Sequence, residues 1–429
     1  MRIQNMPLVI TLVLSAAWLN AGEAAPLSGT TRGPFAISVA PDHVDGRYAT
    51  GENIVYTIQV TREKLPLGEG KVAYQVVGNG VTALQRGNLP LVQGSATVTI
   101  KANGPTHYTL AATFDPGDGG VPLLYKSGTV VDVTGIKPSV PDEPKDFAAF
   151  WADQRQKLAD TPLNARLTPV ASDAGTKAGP EIEAFDVQAD CPGGAPLSAY
   201  FARPKGAKVK TLPIHIHYHS AGVKGSNLAE AVNGARQNRL SLDVNAHGNP
   251  NGKPPEFYAN LQNTTLKEYL NIGLDSRETS YFLGMYLRII RAIDFATAQP
   301  EWDGKNVVVF GNSQGGAQAI LAAGLDQRVT EVNAGCPAFC NLMGSSLGQM
   351  AGFPFSARKL TPKELTTVSY FDAIYHVTRA KAKATFRIGL VDETCWSWCM
   401  FAAYNRYAGE KTLNTPPTTH FWNALPVAR

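Results

Sequence analysis

The sequence predicts a mostly parallel α/β sheet in its larger, C-terminal part, preceded by a smaller all-β sandwich. Three observations carry this. From about Gly33 to Gly135 the chain alternates apolar and polar residues in short runs, with turn residues at roughly ten-residue intervals, the pattern of paired half-buried strands. Beyond a proline-rich segment the pattern changes to continuous apolar runs alternating with helical periods, as a parallel sheet covered by helices requires. Finally, 429 residues exceed the usual single domain, so two domains are expected.

In chain order, Arg2, the apolar run Leu8–Leu14 and the small residues Ala21, Ala24 and Ala25 read as a secretory signal peptide over residues 1–24. The run is short for a bilayer span of about 20 residues, and no later segment is long enough. A secreted or periplasmic location follows. Residues 33–135 are expected to form an immunoglobulin-like β-sandwich, with strands over Asn53–Val60, Lys71–Val77 and Ser95–Ile100. Its tyrosines, Tyr74, Tyr108 and Tyr125, would serve either as a carbohydrate-binding face or as core; strand tyrosines are usually packed, which favours a structural role. Residues 136–144, with Pro138, Pro141 and Pro144, read as a stiff linker. Residues 145–429 make up the α/β domain. The formal net charge of +4 is too small to argue for a nucleic acid or an anionic membrane as partner.

The chemistry is concentrated at Gly311-Asn312-Ser313-Gln314-Gly315-Gly316, which follows the apolar run Val307–Phe310 and precedes the helix-like Ala317–Ala323. A serine between a buried strand and a helix, with glycines on both sides, fits a sharp turn that lifts its hydroxyl above the sheet, the elbow of α/β-hydrolases. The Gln314 N–H would then point where an oxyanion forms. In this fold the acid and the histidine follow the serine in that order. Thr385–Val391 reads as a strand with Asp392 at its carboxyl end, and Glu393 is the nearest rival. His420 is the only histidine after His376, which precedes the acid strand and is out of order. Separately, Asp392 reads as a turn residue and His420 as a solvated one; together they complete Ser313, Asp392 and His420.

The stretch Tyr281–Cys340, with Leu287–Phe295, Ala298-Gln299-Pro300, the serine turn and Leu325–Val329, resembles the acetyl xylan esterase and cephalosporin-C deacetylase family, carbohydrate esterase family seven. The resemblance continues at Gly389–Cys395 and Phe401–Asn405, and upstream at Pro144–Trp151. It implies serine esterase chemistry on acetyl esters of sugars, with Ser313, Asp392 and His420 at the matching catalytic positions. The chain also departs from the family. Asp243–Gly248 stands where the family has Arg-Gly-Gln, so the supporting arginine is missing. His219-Ser220-Ala221-Gly222 stands where it has His-Gly-Tyr; the Ala221 N–H can still be the second oxyanion donor, because donation needs no side chain. Phe421-Trp422 replaces a family acidic residue.

Trp396, Trp398 and Trp422 come from the loops that carry Asp392 and His420, and would offer aromatic faces to a sugar ring or pack as core. Cys336, Cys340, Cys395 and Cys399 lie near the same loops while Cys191 stands apart, and export permits a bridge between the two groups with its connectivity open. Nothing asks for a cofactor or a metal. The cysteines lack an interleaved histidine for zinc, and His215, His217 and His219 share one strand face and read as a strand end near the site. An ester-bearing small molecule or oligosaccharide is the expected partner, and an oligomer is compatible with the sequence. Two other readings stay open: the same chemistry on a different ester or a peptide bond, and a non-catalytic carbohydrate-binding or scaffold protein with a decayed hydrolase domain.

Overall fold

The computed structural model describes residues 31–137, 140–171, 181–417 and 419–420; the leader expected at residues 1–24 and Trp422 lie outside them. Ten strands fill the N-terminal part: β1 (Thr31–Arg32), β2 (Phe35–Pro41), β3 (Arg47–Tyr48), β4 (Asn53–Arg62), β5 (Leu65–Pro66), β6 (Lys71–Gly78), β7 (Thr82–Pro90), β8 (Ser95–Lys101), β9 (Thr106–Phe114) and β10 (Leu123–Val131). They form two sheets. One runs β1-β2-β4-β5 with β8 also paired to β4, and the other β3-β10-β9-β6-β7. Alternation along each strand decides which side is buried. In β4 it buries Ile54, Tyr56, Ile58 and Val60, which share one core with Val98 of β8, Val72 and Val76 of β6, and Leu110 of β9. Tyr108 and Tyr125 are each 4% exposed and belong to that core, with Tyr74 packed against it.

The rest of the chain builds one nine-stranded sheet. Its strands are β11 (Arg166–Val170), β12 (Ile182–Ala189), β13 (Leu197–Pro204), β14 (Leu212–Tyr218), β15 (Leu240–Asn245), β16 (Trp302–Asn312), β17 (Glu331–Gly335), β18 (Lys383–Arg387) and β19 (Lys411–Asn414), in the order β11-β12-β13-β15-β14-β16-β17-β18-β19. From β15 to β19 every neighbour is parallel, while β11, β12 and β13 pair antiparallel at one edge. Helices α1 (Phe147–Asp160), α2 (Leu228–Ala235), α3 (Pro255–Asn263), α4 (Tyr281–Thr297), α5 (Gln314–Leu325), α6 (Pro362–Val368), α7 (Ala373–His376) and α8 (Ser397–Arg406) connect them. The central strands β14 and β16 contribute Ile214, Ile216, Val307 and Val309, all with no exposed surface, to the main core. Helix α5 is buried along its whole length, so its apolar run Ala317–Ala323 serves neighbours on every side. No helix among the described residues is long and apolar enough to cross a membrane.

One element differs from the sequence expectation. The strand expected over Thr385–Val391 spans Lys383–Arg387. The apolar residues beyond it serve a different core: Val391 packs among the N-terminal strands, and the Leu390 carbonyl accepts a hydrogen bond from His107 Nε2 at 2.8 Å. The stretch still follows β19, since Ile388 N–H donates to Asn414 O and Leu390 N–H to Pro416 O. The contact is close enough to require glycine at position 128 in β10, where an added Cβ would lie 1.8 Å from the Leu390 carbonyl oxygen. Gly128→Ala is expected to cost about 1–3 kcal/mol of stability, as overpacking of a fixed contact does; chemical denaturation of the full chain measures it.

Candidate active site

Ser313 stands between β16 and α5 at φ 58° and ψ −122°, outside the comfortable regions for a residue with a Cβ. The turn is held on both sides. Ser313 N–H donates to Gly335 O on β17 at 2.9 Å, and Ser313 O accepts from Ala317 and Ala338 N–H at 3.0 Å each. Helix α5 can begin so close to β14 only because Gly315 has no side chain; a Cβ there would lie 2.0 Å from the Tyr218 carbonyl oxygen. As the first residue of α5, Gln314 has a backbone N–H with no acceptor inside the helix.

The predicted acid and histidine come to this serine from the ends of two further parallel strands. Asp392 follows β18 and His420 follows β19. His420 Nε2 lies 3.0 Å from Ser313 Oγ, and His420 Nδ1 lies 2.8 Å from Asp392 Oδ2. All three are buried, with 8% of Ser313, 1% of Asp392 and 7% of His420 exposed. Asp392 Oδ1 accepts the N–H groups of Thr394 and Cys395 at 2.9 Å each, which leaves Oδ2 to face the imidazole. Its rival Glu393 points away and pairs with Lys126 of β10 at 2.6 Å. Burial alone would lower the His420 pKa; the Asp392 carboxylate, helped by the neighbouring Cys336 and Cys395 side chains, overrides it and raises the pKa above the ordinary histidine value. A hydroxyl on one imidazole nitrogen and a buried carboxylate on the other is an arrangement able to activate the oxygen and store its proton.

The other sequence candidates fall into place around this centre. Ala221 lies in the loop after β14, whose Ser220 Oγ donates to Asn312 O beside the serine at 3.0 Å. Trp398, the second residue of α8, is 8% exposed within the main core, so it packs rather than lines open space. Trp396 is partly buried against that core, and a Cβ at Gly80 of the N-terminal part would touch its ring. All five cysteines are free and buried; Cys336 Sγ lies 3.7 Å from His420 O.

The histidines at the end of β14 share a buried anchor on β15. Asp243 of β15, fully buried, has one carboxylate oxygen 2.6 Å from His217 Nδ1, while the other contacts His219 Nε2 and accepts the Asn227 N–H at 2.5 Å. Burial would raise its pKa, but the two histidines hold it down at about 2. His215 contacts Arg239 instead. Tyr269 and His107 carry no local signal as site neighbours, because their partners lie 45 and 283 residues away.

The acetyl xylan esterase family profile matches residues 136–421. The chain belongs to the acetyl xylan esterase family. It is 28% identical over 396 residues to the acetyl esterase Axe7A of Xylanibacter ruminicola, covering 89% of this chain and 86% of that protein. Among solved structures it resembles an acetyl xylan esterase from Paenibacillus sp. R4, at 27% identity and a TM-score of 0.56, over 67% of this chain and 93% of that one. Acetyl xylan esterase 1 from Thermoanaerobacterium sp. JW/SL YS485 shares the fold at 22% identity and a TM-score of 0.54, over 67% and 92% of the two chains. As a member of this family the chain is a carboxylic ester hydrolase.

The hydrogen-bond geometry makes a direct expectation for titration. Of the eight histidines, His420 should show an NMR midpoint above the ordinary 6.5, and Asp392→Asn should bring it down, since the neutral amide no longer favours the imidazolium.

Proposed function

We propose that this chain is an exported serine esterase that removes acetyl groups from carbohydrate esters. One observation carries the reading: the unbroken chain from Ser313 Oγ through His420 to Asp392, at 3.0 and 2.8 Å. In this mechanism His420 takes the Ser313 proton as the oxygen attacks the ester carbonyl, and Asp392 holds the Nδ1–H tautomer and stabilises the imidazolium. The N–H groups of Gln314 and Ala221 receive the oxyanion. His420 then passes its proton to the leaving sugar hydroxyl, and a water activated by the same imidazole frees acetate from Ser313.

The substrate class rests on the family and on Axe7A, whose name is that of an acetyl esterase. An acetylated xylo-oligosaccharide is the favoured substrate. Export rests on the leader at residues 1–24, and the N-terminal strands are read as an immunoglobulin-like sandwich over residues 33–135, joined by the 136–144 segment to the 145–429 hydrolase domain. With Tyr108 and Tyr125 in its core, this sandwich has a structural role: it braces the loop that carries Asp392. Trp396 and Trp422 remain the aromatic candidates for contact with sugar, while Trp398 supports the core.

Purified protein should hydrolyse p-nitrophenyl acetate and release acetate from acetylated xylan, with little activity on longer acyl esters or peptides. Ser313→Ala should lower kcat by roughly 10⁴-fold or more, as loss of a nucleophile does in such enzymes. Equal rates for the two proteins would sink the proposal. Because the base must be neutral, kcat/KM should rise with pH through the raised free-enzyme pKa of His420, placing the acid limb above 6.5.

A further inference from the structure

The segment after β15 grips the loop that carries Ala221, and this inference rests on the esterase reading above. The loop from Ser220 to Ser226 contains no helix or strand, so nothing in a regular ladder fixes where its N–H groups point. It is tied instead from β15 and the turn beyond it. Lys224 O accepts from Asn245 Nδ2 at 3.0 Å, and Ser226 N–H donates to Asn251 Oδ1 at 2.8 Å. Nearest to the proposed oxyanion donor, Gly222 O faces His247 Nε2 at 3.0 Å.

We infer that His247 is a positioning residue for the esterase reaction: through its hydrogen bond to Gly222 O it fixes the Gly222–Val223 peptide, one residue on from Ala221, and, with Tyr269 at the Gly222 N–H, holds the loop in the conformation that aims the Ala221 N–H. Its tautomer follows from its partners. A carbonyl oxygen only accepts, so Nε2 carries the proton, and the bare Nδ1 accepts from the Tyr281 hydroxyl at 2.6 Å. Burial keeps the ring neutral, with its pKa pushed down to about 4. The backbone beneath it is fixed too, since Ala246 O accepts from Arg288 Nε and a terminal guanidinium nitrogen at 2.9 and 2.7 Å.

A second tie spans the two proposed oxyanion donors. Tyr269 packs edge-on against His247, with ring centroids 4.6 Å apart at 90°. Its hydroxyl donates to Gln314 Oε1 at 2.6 Å and lies 3.4 Å from Gly222 N, within reach of that N–H. The peptide beside Ala221 and the residue whose backbone is the other donor are therefore joined through one phenol. Such a strut matters because an oxyanion hole works only if both donors are aimed before charge develops. A reacting geometry misplaced by about 1 Å costs on the order of 100-fold in rate.

The test is steady-state kinetics on p-nitrophenyl acetate for the full chain, its Ser313→Ala control, His247→Ala, His247→Gln and Tyr281→Phe, with thermal unfolding of each. His247→Ala should lower kcat by about 100-fold with KM changed less than about threefold, the signature of an interaction made in the transition state. Glutamine offers an amide donor and acceptor in place of the two ring nitrogens, so His247→Gln should recover kcat to within about tenfold of wild type. Tyr281→Phe removes one oxygen and should cost roughly five- to tenfold in kcat, and it decides the matter if His247→Ala does not fold. Folded His247→Ala with a wild-type kcat, His247→Gln no faster than His247→Ala, or an undiminished Tyr281→Phe would each overturn the positioning role. If the wild type itself shows no Ser313-dependent turnover, the esterase reading fails first and takes this role with it.

Discussion

The close approach of helix α5 to strand β14 is the constraint on which the rest of the site depends. A backbone carbonyl, Tyr218 O, occupies the space that any side chain at Gly315 would need, so the helix starts lower on the sheet than a side chain would allow. Ser313 must then make the whole reversal from strand to helix in one residue, which puts it at φ 58° and its hydroxyl above the sheet. The cost of such a conformation is of order 1–3 kcal/mol, tolerated where surrounding structure over-determines it. Here the hydrogen bonds to Gly335, Ala317 and Ala338 do so. The same approach brings the loop after β14 against the first residue of α5, where Tyr269 can link Gly222 to Gln314.

The acid loop is held by a different principle: it is divided between two cores. Leu390 belongs to the main core and Val391 to that of the N-terminal sheets. Asp392, the next residue, is thus anchored at a seam. His107 and Lys126 from the N-terminal strands reach Leu390 O and Glu393, on either side of it, and Arg47 reaches Thr415 and Leu413 O on the strand leading toward His420. The ion pair of Lys126 with Glu393 is partly exposed and contributes little by itself. The buried His107 bond contributes more, because breaking it would strand a buried imidazole nitrogen and a carbonyl together. The N-terminal strands therefore act on the position of the acid.

Where the candidate site rests on a local pattern, the sequence is legible. The serine turn, its strand and its helix are contiguous, and period, glycine placement and apolar runs each state one local requirement; Asn53, Lys71 and Ser95 likewise begin strands at the positions read from alternation. Ser313, Asp392 and His420 stand in the order expected of this fold, and the structure brings their side chains together. The end of β18 is not legible. Val391 has the same composition in a buried strand as in a plug between two cores, and periodicity cannot tell which core an apolar residue serves. Nor could His247 or Tyr269 be recognised, since their partners lie 25 and 45 residues away. For Trp398 the sequence leaves a pocket wall and core packing open, and as the second residue of α8 its side chain turns into the core.

His215 and His217 of β14, with His219 just beyond it, show how a conspicuous pattern resolves once the neighbouring strand is in register. His217 pairs across the parallel ladder with Asp243, so a carboxylate stands beside the histidine face at the one depth where two rings can reach it. Asp243 is fully buried, and a lone carboxylate there would be expensive. The His217 and His219 nitrogens and the Asn227 N–H together satisfy both its oxygens. Asn227 also caps α2, accepting the Ala229 N–H. One buried charge thus joins the end of β14, the start of α2 and β15. Of these, β14 begins and α2 ends the Ala221 loop, which is held by a carboxylate on one flank and His247 on the other.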